Sequence, residues 1–249
     1  MKKPYIHDEG NHNIEVSADL AKNIYQRFSP SSVVDVGCGT GNFLKAFKEL
    51  GVNNVLGYDG DWGDYDQRQR YLSDEEFETI NLESLSPVTV GAQIPQFDIA
   101  ICLEVAEHLN AKSAPGLIDF LVSLSDTVIF SAAIPNQPGQ NHVNCQWPEY
   151  WGELFRARGF ITFDNLRATI WNNEAIPWWY RQNLFLACRE GSTQLETLTS
   201  QPVTKLQPLV HPRLLDYHIQ HVDCIIEGQY PINGYISMLR KKFKSTFGI

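Results

Sequence analysis

Apolar residues along the first 190 positions follow two spacings, one typical of helices and one typical of buried strands. Leu20, Ile24 and Phe28 recur every fourth position, which places them on one face of a short helix. Continuous apolar or β-branched runs predict strands at residues 33–36, 54–58, 77–80, 97–103, 127–134, 161–164 and 184–188. Segments with apolar residues at helical spacing lie between most of these runs. The pattern predicts an α/β fold with a doubly wound, mostly parallel, seven-stranded Rossmann-like sheet.

Beyond about residue 190 the periodic pattern weakens, and residues 191–208 are rich in Thr, Ser, Gln and Pro. Such a composition is typical of a linker. The sequence therefore predicts one folded domain over residues 1–190, followed by a linker and C-terminal extension over residues 191–249.

Composition narrows the class of protein. Apolar residues make up 43% and charged residues 20% of the chain, as in ordinary folded domains. The net charge of −9 and the absence of a Lys/Arg stripe argue against nucleic acid as a partner. The five cysteines lack zinc-ligand spacing, so they indicate reduced thiols, and no metal is expected. No long apolar run occurs at the N-terminus or elsewhere, so we expect a cytoplasmic chain without stable membrane insertion.

The most specific segment is the glycine-rich turn after the first predicted strand. It reads VVDVGCGTG, with Asp35 inside the strand and glycines at Gly37, Gly39 and Gly41. Glycines in such a turn let the backbone approach a ligand closely. The dinucleotide pattern GxGxxG fails because Asn42 occupies the position of its third glycine. That departure, together with the lack of a Tyr-x-x-x-Lys pair, argues against an NAD-dependent oxidoreductase.

This acidic, glycine-rich turn resembles the first motif of the class I S-adenosylmethionine-dependent methyltransferases. The resemblance implies S-adenosylmethionine as the cofactor, with the glycine loop passing under its methionine end. Asp35 is then expected near the amino group of the cofactor, because opposite charges attract. Asp59, which ends the second strand, is expected to accept hydrogen bonds from the ribose hydroxyls. Without the glycine motif, Asp59 is equally typical of a solvated turn.

Four more residues are expected around the cofactor. Trp62 follows the second strand and either covers the adenine ring or packs locally. Asn81 and Leu82 follow the third strand, where the family commonly has an acid beside the adenine amino group. An Asn oxygen can accept from that amine without carrying a charge. Leu103 ends the fourth strand, which in the family reaches the methionine moiety.

The acceptor is expected at the same edge of the sheet. Glu104 follows the fourth strand and is placed to meet both substrates. His108 is a second catalytic candidate, although on a helical start Glu104 and His108 form an ion pair without a chemical role. His142 lies in the polar loop after the fifth strand, where no other side chain has an intrinsic pKa near neutrality. It is either the general base for a hydroxyl or a histidine that holds the loop.

Longer segments resemble a bacterial group of methyltransferase-domain proteins often associated with cell-surface glycan assembly. These segments are GYDGDW, EVAEHL, SAAIPNQPGQNHVNCQWPEYWGELF and WWYRQNLFL, and the resemblance covers residues 14–190. It implies an enzyme that O-methylates a small polar or carbohydrate-type acceptor, such as a glycan precursor. The alternatives are N-methylation of a small metabolite and a cofactor-binding scaffold without turnover. No NPPY-like tetrad follows the fourth strand, which argues against amide methylation of adenine or glutamine.

The C-terminal extension contains a small cationic helix candidate, ISMLRKKFK, on an otherwise acidic chain. Its basic residues are expected to dock on a neighbouring subunit and so to support a homo-oligomer. The alternatives are a solvated helix and contact with an anionic membrane surface. Leu239 and Phe243 form only a narrow apolar stripe, which disfavours membrane insertion.

Overall fold

The computed structural model describes residues 14–61, 68–85, 95–192 and 201–247. Contacts divide the chain into two units, Met1–Leu209 and Val210–Ile249. The helices of the first unit are α1 (Ile14–Phe28), α2 (Asn42–Glu49), α3 (Ala114–Leu124), α4 (Pro148–Arg156), α5 (Asn165–Ile170) and α6 (Trp178–Asn183). Its strands are β1 (Ser32–Val36), β2 (Asn54–Asp59), β3 (Phe77–Thr79), β4 (Ile99–Leu103), β5 (Thr127–Ser131), β6 (Phe160–Phe163) and β7 (Phe185–Arg189).

The seven strands form one sheet in the order β3-β2-β1-β4-β5-β7-β6. β7 runs antiparallel to both β5 and β6, and the other pairs are parallel. The predicted α/β class and the mostly parallel, seven-stranded sheet are confirmed. The chain reverses its direction of travel across the sheet between β1 and β4. In open α/β sheets the loops that follow two such strands diverge, and ligands bind in the crevice at the carboxyl ends of the strands.

β1, β4 and β5 are buried along their whole length because helices cover both faces of the sheet. On one face, α1 and α2 supply the core residues Leu20, Ile24, Leu44 and Phe47. On the other face, α3 and α4 supply the core residues Leu117, Leu121, Trp151 and Phe155. The strand ends that carry the glycine turn and the acceptor-side loops are thus held by two apolar layers.

Residues 201–209 belong to the first unit and pack against β6 and the core. The Val203 N–H donates to the Thr162 carbonyl at 2.8 Å, and the Thr162 hydroxyl donates to the Val203 carbonyl at 3.1 Å. Leu206 is fully buried in the core on the α3 and α4 side. Because β6 is the last strand of the sheet, this pairing covers part of an edge that would otherwise offer free backbone groups.

The second unit contains two helices, α7 (Pro212–Ile226) and α8 (Ile232–Phe247). The Tyr235 hydroxyl of α8 donates to the Ile225 carbonyl of α7 at 2.8 Å. Both helices carry apolar side chains at least 43% exposed and spaced four, three and four positions apart: Leu215, Ile219, Val222, Ile226, Ile232, Ile236, Leu239 and Phe243. Within the described part of the chain, none of the helices has the length and apolar character required to cross a membrane.

Candidate active site

The glycine turn predicted from the sequence forms between β1 and α2. Gly37, Gly39 and Gly41 have φ values of 85°, 56° and 86°, a left-handed backbone that favours glycine. A Cβ atom at Gly37 would lie 2.3 Å from Val105 Cγ2, and one at Gly41 would lie 2.7 Å from the Leu72 side chain. The loop therefore has no room for larger residues at these two positions.

Asp59 braces this loop from the end of β2. One oxygen of its carboxylate accepts from the Gly39 N–H at 2.6 Å, and the other accepts from the Gly60 N–H at 2.6 Å. Each carboxylate oxygen can accept more than one hydrogen bond, so a second set of donors can still bind. The sequence predicted the position of Asp59 but not this contact with the glycine turn.

Carboxyl groups concentrate at this edge of the sheet. Asp35 is buried, and burial, followed by the charge of Asp59, raises the pKa of its carboxyl well above the usual value. Glu104 and Glu107 lie beyond the end of β4, and burial raises the pKa of each. A cationic ligand in this crevice would offset the repulsion among these groups.

The other predicted cofactor residues lie at or near strand ends. Asn81 is exposed, and its side-chain oxygen accepts from the Glu83 N–H at 3.0 Å, which forms a local turn. Leu82 and Leu103 are buried. Trp62 lies outside the described residues. The contacts of these residues with a cofactor stay predictions.

Glu104 adopts a left-handed backbone with φ of 57°, so the helical start considered for this segment is wrong. A single 3₁₀ turn follows at Ala106–His108. The Glu104 carboxylate accepts from Asn183 Nδ2 at 3.0 and 3.1 Å and from Gln137 Nε2 at 3.0 Å. Its backbone N–H donates to the Ser131 carbonyl at 3.0 Å. These contacts hold a conformation that costs a non-glycine residue about 1–2 kcal/mol.

An amide network that the sequence did not predict supports Glu104. Gln182 Nε2 donates to Gln137 Oε1 at 2.9 Å and to Asn183 Oδ1 at 3.0 Å, and all three side chains are buried. Gln182 and Asn183 stand directly before the apolar run LFLAC, where buried amides need partners. That placement was the signal available in the sequence.

Glu107, His108 and His142 meet beside Glu104. Glu107 is fully buried, and among the described residues neither oxygen of its carboxyl has a hydrogen-bond partner of good geometry. The rings of His108 and His142 are 5.0 Å apart between centroids. His142 Nδ1 lies 3.2 Å from the Gln137 carbonyl, and burial lowers the pKa of this imidazole. The structure thus brings together the three predicted catalytic candidates, His142, Glu104 and His108.

The family model of a methyltransferase domain matches residues 11–176, which is most of the chain. The chain belongs to the methyltransferase-domain family. Its domain is therefore an S-adenosylmethionine-dependent methyltransferase domain. The glycine turn and the surrounding carboxyls fit this cofactor, because its ammonium and sulfonium groups carry positive charge. No curated protein sequence matches the chain.

Two solved structures share the fold of this methyltransferase domain. An O-methyltransferase family protein from Burkholderia thailandensis has 13% identity and a TM-score of 0.53, covering 71% of this chain and 57% of that chain. DesVI from Streptomyces venezuelae has 14% identity and a TM-score of 0.52, covering 74% of this chain and 100% of that chain. The chain thus spans little more than half the length of the Burkholderia protein. At these identities the likeness establishes the fold alone.

Proposed function

We propose that this domain transfers the methyl group of S-adenosylmethionine to a hydroxyl of a small polar, carbohydrate-type acceptor. The observation that carries the proposal is the position of His142, which lies in the polar loop after β5 next to His108 and the Glu104 network. Loops at the carboxyl edge of such a sheet bind the substrates. A histidine in this loop can serve as the base for an alcohol acceptor, because an alcohol must lose a proton when it is methylated.

The hydrogen bonding of His142 favours its role as a base. His142 Nδ1 contacts the Gln137 carbonyl and, at 3.6 Å, the Cys145 sulfur. A carbonyl oxygen only accepts, and a thiol sulfur can accept weakly, so these contacts favour a proton on Nδ1 and a lone pair on Nε2. Burial lowers the pKa of His142 and so favours the neutral form of the ring. A neutral imidazole with a free lone pair can accept the proton of an alcohol.

The proposed step is an in-line displacement at the methyl carbon. The bond between the acceptor oxygen and the methyl carbon forms as the sulfur–methyl bond breaks, the bonding electron pair stays on sulfur, and S-adenosylhomocysteine is released. The hydroxyl proton passes to Nε2 of His142. The hydrogen bonds of Glu104 with Gln137 and Asn183 hold the side chains beside the acceptor in place. The acceptor oxygen can then approach the methyl group in line with the sulfur–methyl bond.

An acceptor screen tests this proposal. The protein is incubated with S-adenosylmethionine and a library of sugars, sugar nucleotides and small amines, and each product is examined by mass spectrometry for a gain of one methyl group. Methylation of an alcohol would support the proposal. Methylation confined to amines would favour the alternative of N-methylation, and absence of turnover would favour a scaffold.

Two variants separate chemistry from folding in that assay. His142→Gln removes the base, and Gly139→Ala displaces it, because a Cβ atom at Gly139 would lie 2.0 Å from His142 Nε2. The control is His221→Ala, on the exposed surface of α7. We expect both loop variants, but not the control, to lose turnover while S-adenosylmethionine affinity is kept.

Self-association through the second unit is a further part of the proposal. The apolar stripes of α7 and α8 repeat at four- and three-residue intervals, which is the spacing of helices that pack against other helices. A second copy of the same hairpin offers the matching surface, and the basic residues of α8 suit an acidic neighbouring subunit. The glycan-precursor acceptor and the cytoplasmic location stay predictions of the sequence.

A further inference from the structure

The ligand atoms of Glu107, His108 and His142 lie within 4.8 Å of one another. We propose that these three side chains bind one divalent transition-metal ion on the acceptor side of the crevice. Binding of the ion needs no acceptor, so the metal titration described below and the acceptor screen can succeed or fail separately.

Backbone hydrogen bonds bring the three ligands together. Glu107 and His108 are neighbours in the 3₁₀ turn after β4. The Glu107 carbonyl accepts from the Val143 N–H at 2.8 Å and from the Asn144 N–H at 3.0 Å. These main-chain hydrogen bonds hold the loop that carries His142 next to the turn that carries Glu107 and His108. The distance between the two backbone segments is therefore set by the main chain.

The carboxyl of Glu107 points to a ligand that is positively charged. It is fully buried, and its polar neighbours in the described part of the chain are the Glu104 carboxyl and the N–H groups of Glu107 and Ala133, none of which makes a well-aligned hydrogen bond with it. A buried carboxylate without partners is costly. The Glu104 carboxyl can share one proton with Glu107, but it already accepts from Asn183 and Gln137 and leaves the other Glu107 oxygen unsatisfied. A cation bound by Glu107 would satisfy its oxygens and reduce the repulsion between the two groups.

One carboxylate and two imidazoles form a ligand set typical of Zn²⁺, Mn²⁺, Fe²⁺ and Co²⁺, whereas Mg²⁺ and Ca²⁺ prefer oxygen ligands throughout. Ligand atoms around an ion with bonds of about 2.1 Å lie roughly 3–3.5 Å apart, so closing the site needs shifts of about 1 Å. The contact of His142 Nδ1 with the Gln137 carbonyl is of the kind that orients a metal-bound imidazole.

The ion would change the role of His142 in catalysis. When bound, such an ion lowers the pKa of a hydroxyl in its open coordination position. His142 then serves as a ligand, and its role as a base is confined to the metal-free protein.

Titration of the tag-free full chain with Co²⁺ tests the site. Binding is followed by calorimetry and by the visible absorption of Co²⁺, and Zn²⁺ is then added as a competitor. We expect one ion per chain at this site and displacement by Zn²⁺. Glu107→Gln, His108→Ala and His142→Ala should each weaken affinity at least about 100-fold, because even the loss of an outer hydrogen bond costs 10–100-fold.

A matched control distinguishes the site from surface histidines. His218 and His221 lie three positions apart on α7, and the double variant His218→Ala/His221→Ala should bind Co²⁺ as the wild type does. Thermal melts in a chelator identify any variant that fails to fold, and His142→Ala, in a loop, is the substitution least able to disturb the core. Binding that persists in folded His142→Ala and Glu107→Gln proteins, or that disappears only in the control, would overturn the proposal.

Discussion

Asp59 offers the sharpest test of the cofactor side of the site. Its two carboxylate oxygens accept from the N–H groups of Gly39 and Gly60, so the side chain holds the glycine turn in place as well as facing the predicted ribose position. Asp59→Ala removes both functions. Asp59→Asn keeps the shape but turns one acceptor into a donor, which then faces a backbone N–H.

The expected loss follows from these contacts. Hydrogen bonds to a charged group contribute about 1.5–3 kcal/mol. Asp59→Ala should therefore weaken S-adenosylmethionine binding by about 10- to 150-fold, since every 1.4 kcal/mol is tenfold in Kd. Asp59→Asn keeps one of the two loop contacts and should fall between the wild type and Asp59→Ala.

Isothermal titration with S-adenosylmethionine measures the effect, and thermal melts without cofactor confirm that each variant is folded. Glu75→Ala, an exposed acidic residue in the turn before β3, is the matched control and should bind normally. Unchanged affinity in folded Asp59→Ala protein would show that the side chain neither contacts the ribose nor braces the loop.

Three further predictions concern chemistry, stability and assembly. His142→Ala should lower kcat about 10²- to 10⁴-fold with cofactor affinity kept, and a near-normal kcat at saturating acceptor would make the catalytic role wrong. Burial raises the pKa of Asp98, but hydrogen bonds from Ser31 and Ser32 outweigh burial and hold that pKa below its usual value. Asp98→Asn should then lower the free energy of unfolding by about 1–3 kcal/mol at pH 7. Denaturant titrations measure the difference in free energy of unfolding between the wild type and Asp98→Asn. This difference should shrink as the pH falls below about 4, the pKa of an unfolded Asp, and then through the lower pKa of Asp98 in the folded protein. A difference that does not change with pH would contradict the prediction. A chain ending at residue 209 should have a lower oligomeric mass by light scattering than the full chain, and monomers in both cases would refute self-association.

Features set by local sequence were predictable. The strands and helices follow from apolar spacing, and the left-handed glycines at Gly37, Gly39 and Gly41 follow from one short motif. Asp59 could be placed for the same reason, because it ends a strand whose register the hydrophobic pattern determines. Each of these predictions needed only neighbours within a few positions.

Features set by distant contacts were not predictable from this sequence. Glu104 is joined to Gln137 and Asn183 across 33 and 79 positions, and these contacts hold its left-handed backbone. The cluster of Glu107, His108 and His142 depends on main-chain bonds from the β5 loop to the turn after β4. A search of the sequence for metal ligands looks for short motifs with fixed spacing. It does not find a site whose ligands come from two separate loops, as Glu107 and His108 do from one loop and His142 from another.

The left-handed backbone of Glu104 has a consequence for engineering. Glycine at this position would relieve about 1–2 kcal/mol of conformational cost in the folded backbone. The same change would delete a carboxyl at the centre of the buried amide network and leave Asn183 and Gln137 without their acceptor. A buried donor left without a partner costs about 1–3 kcal/mol, so the loss offsets the backbone relief, and libraries for heat tolerance should hold position 104 constant.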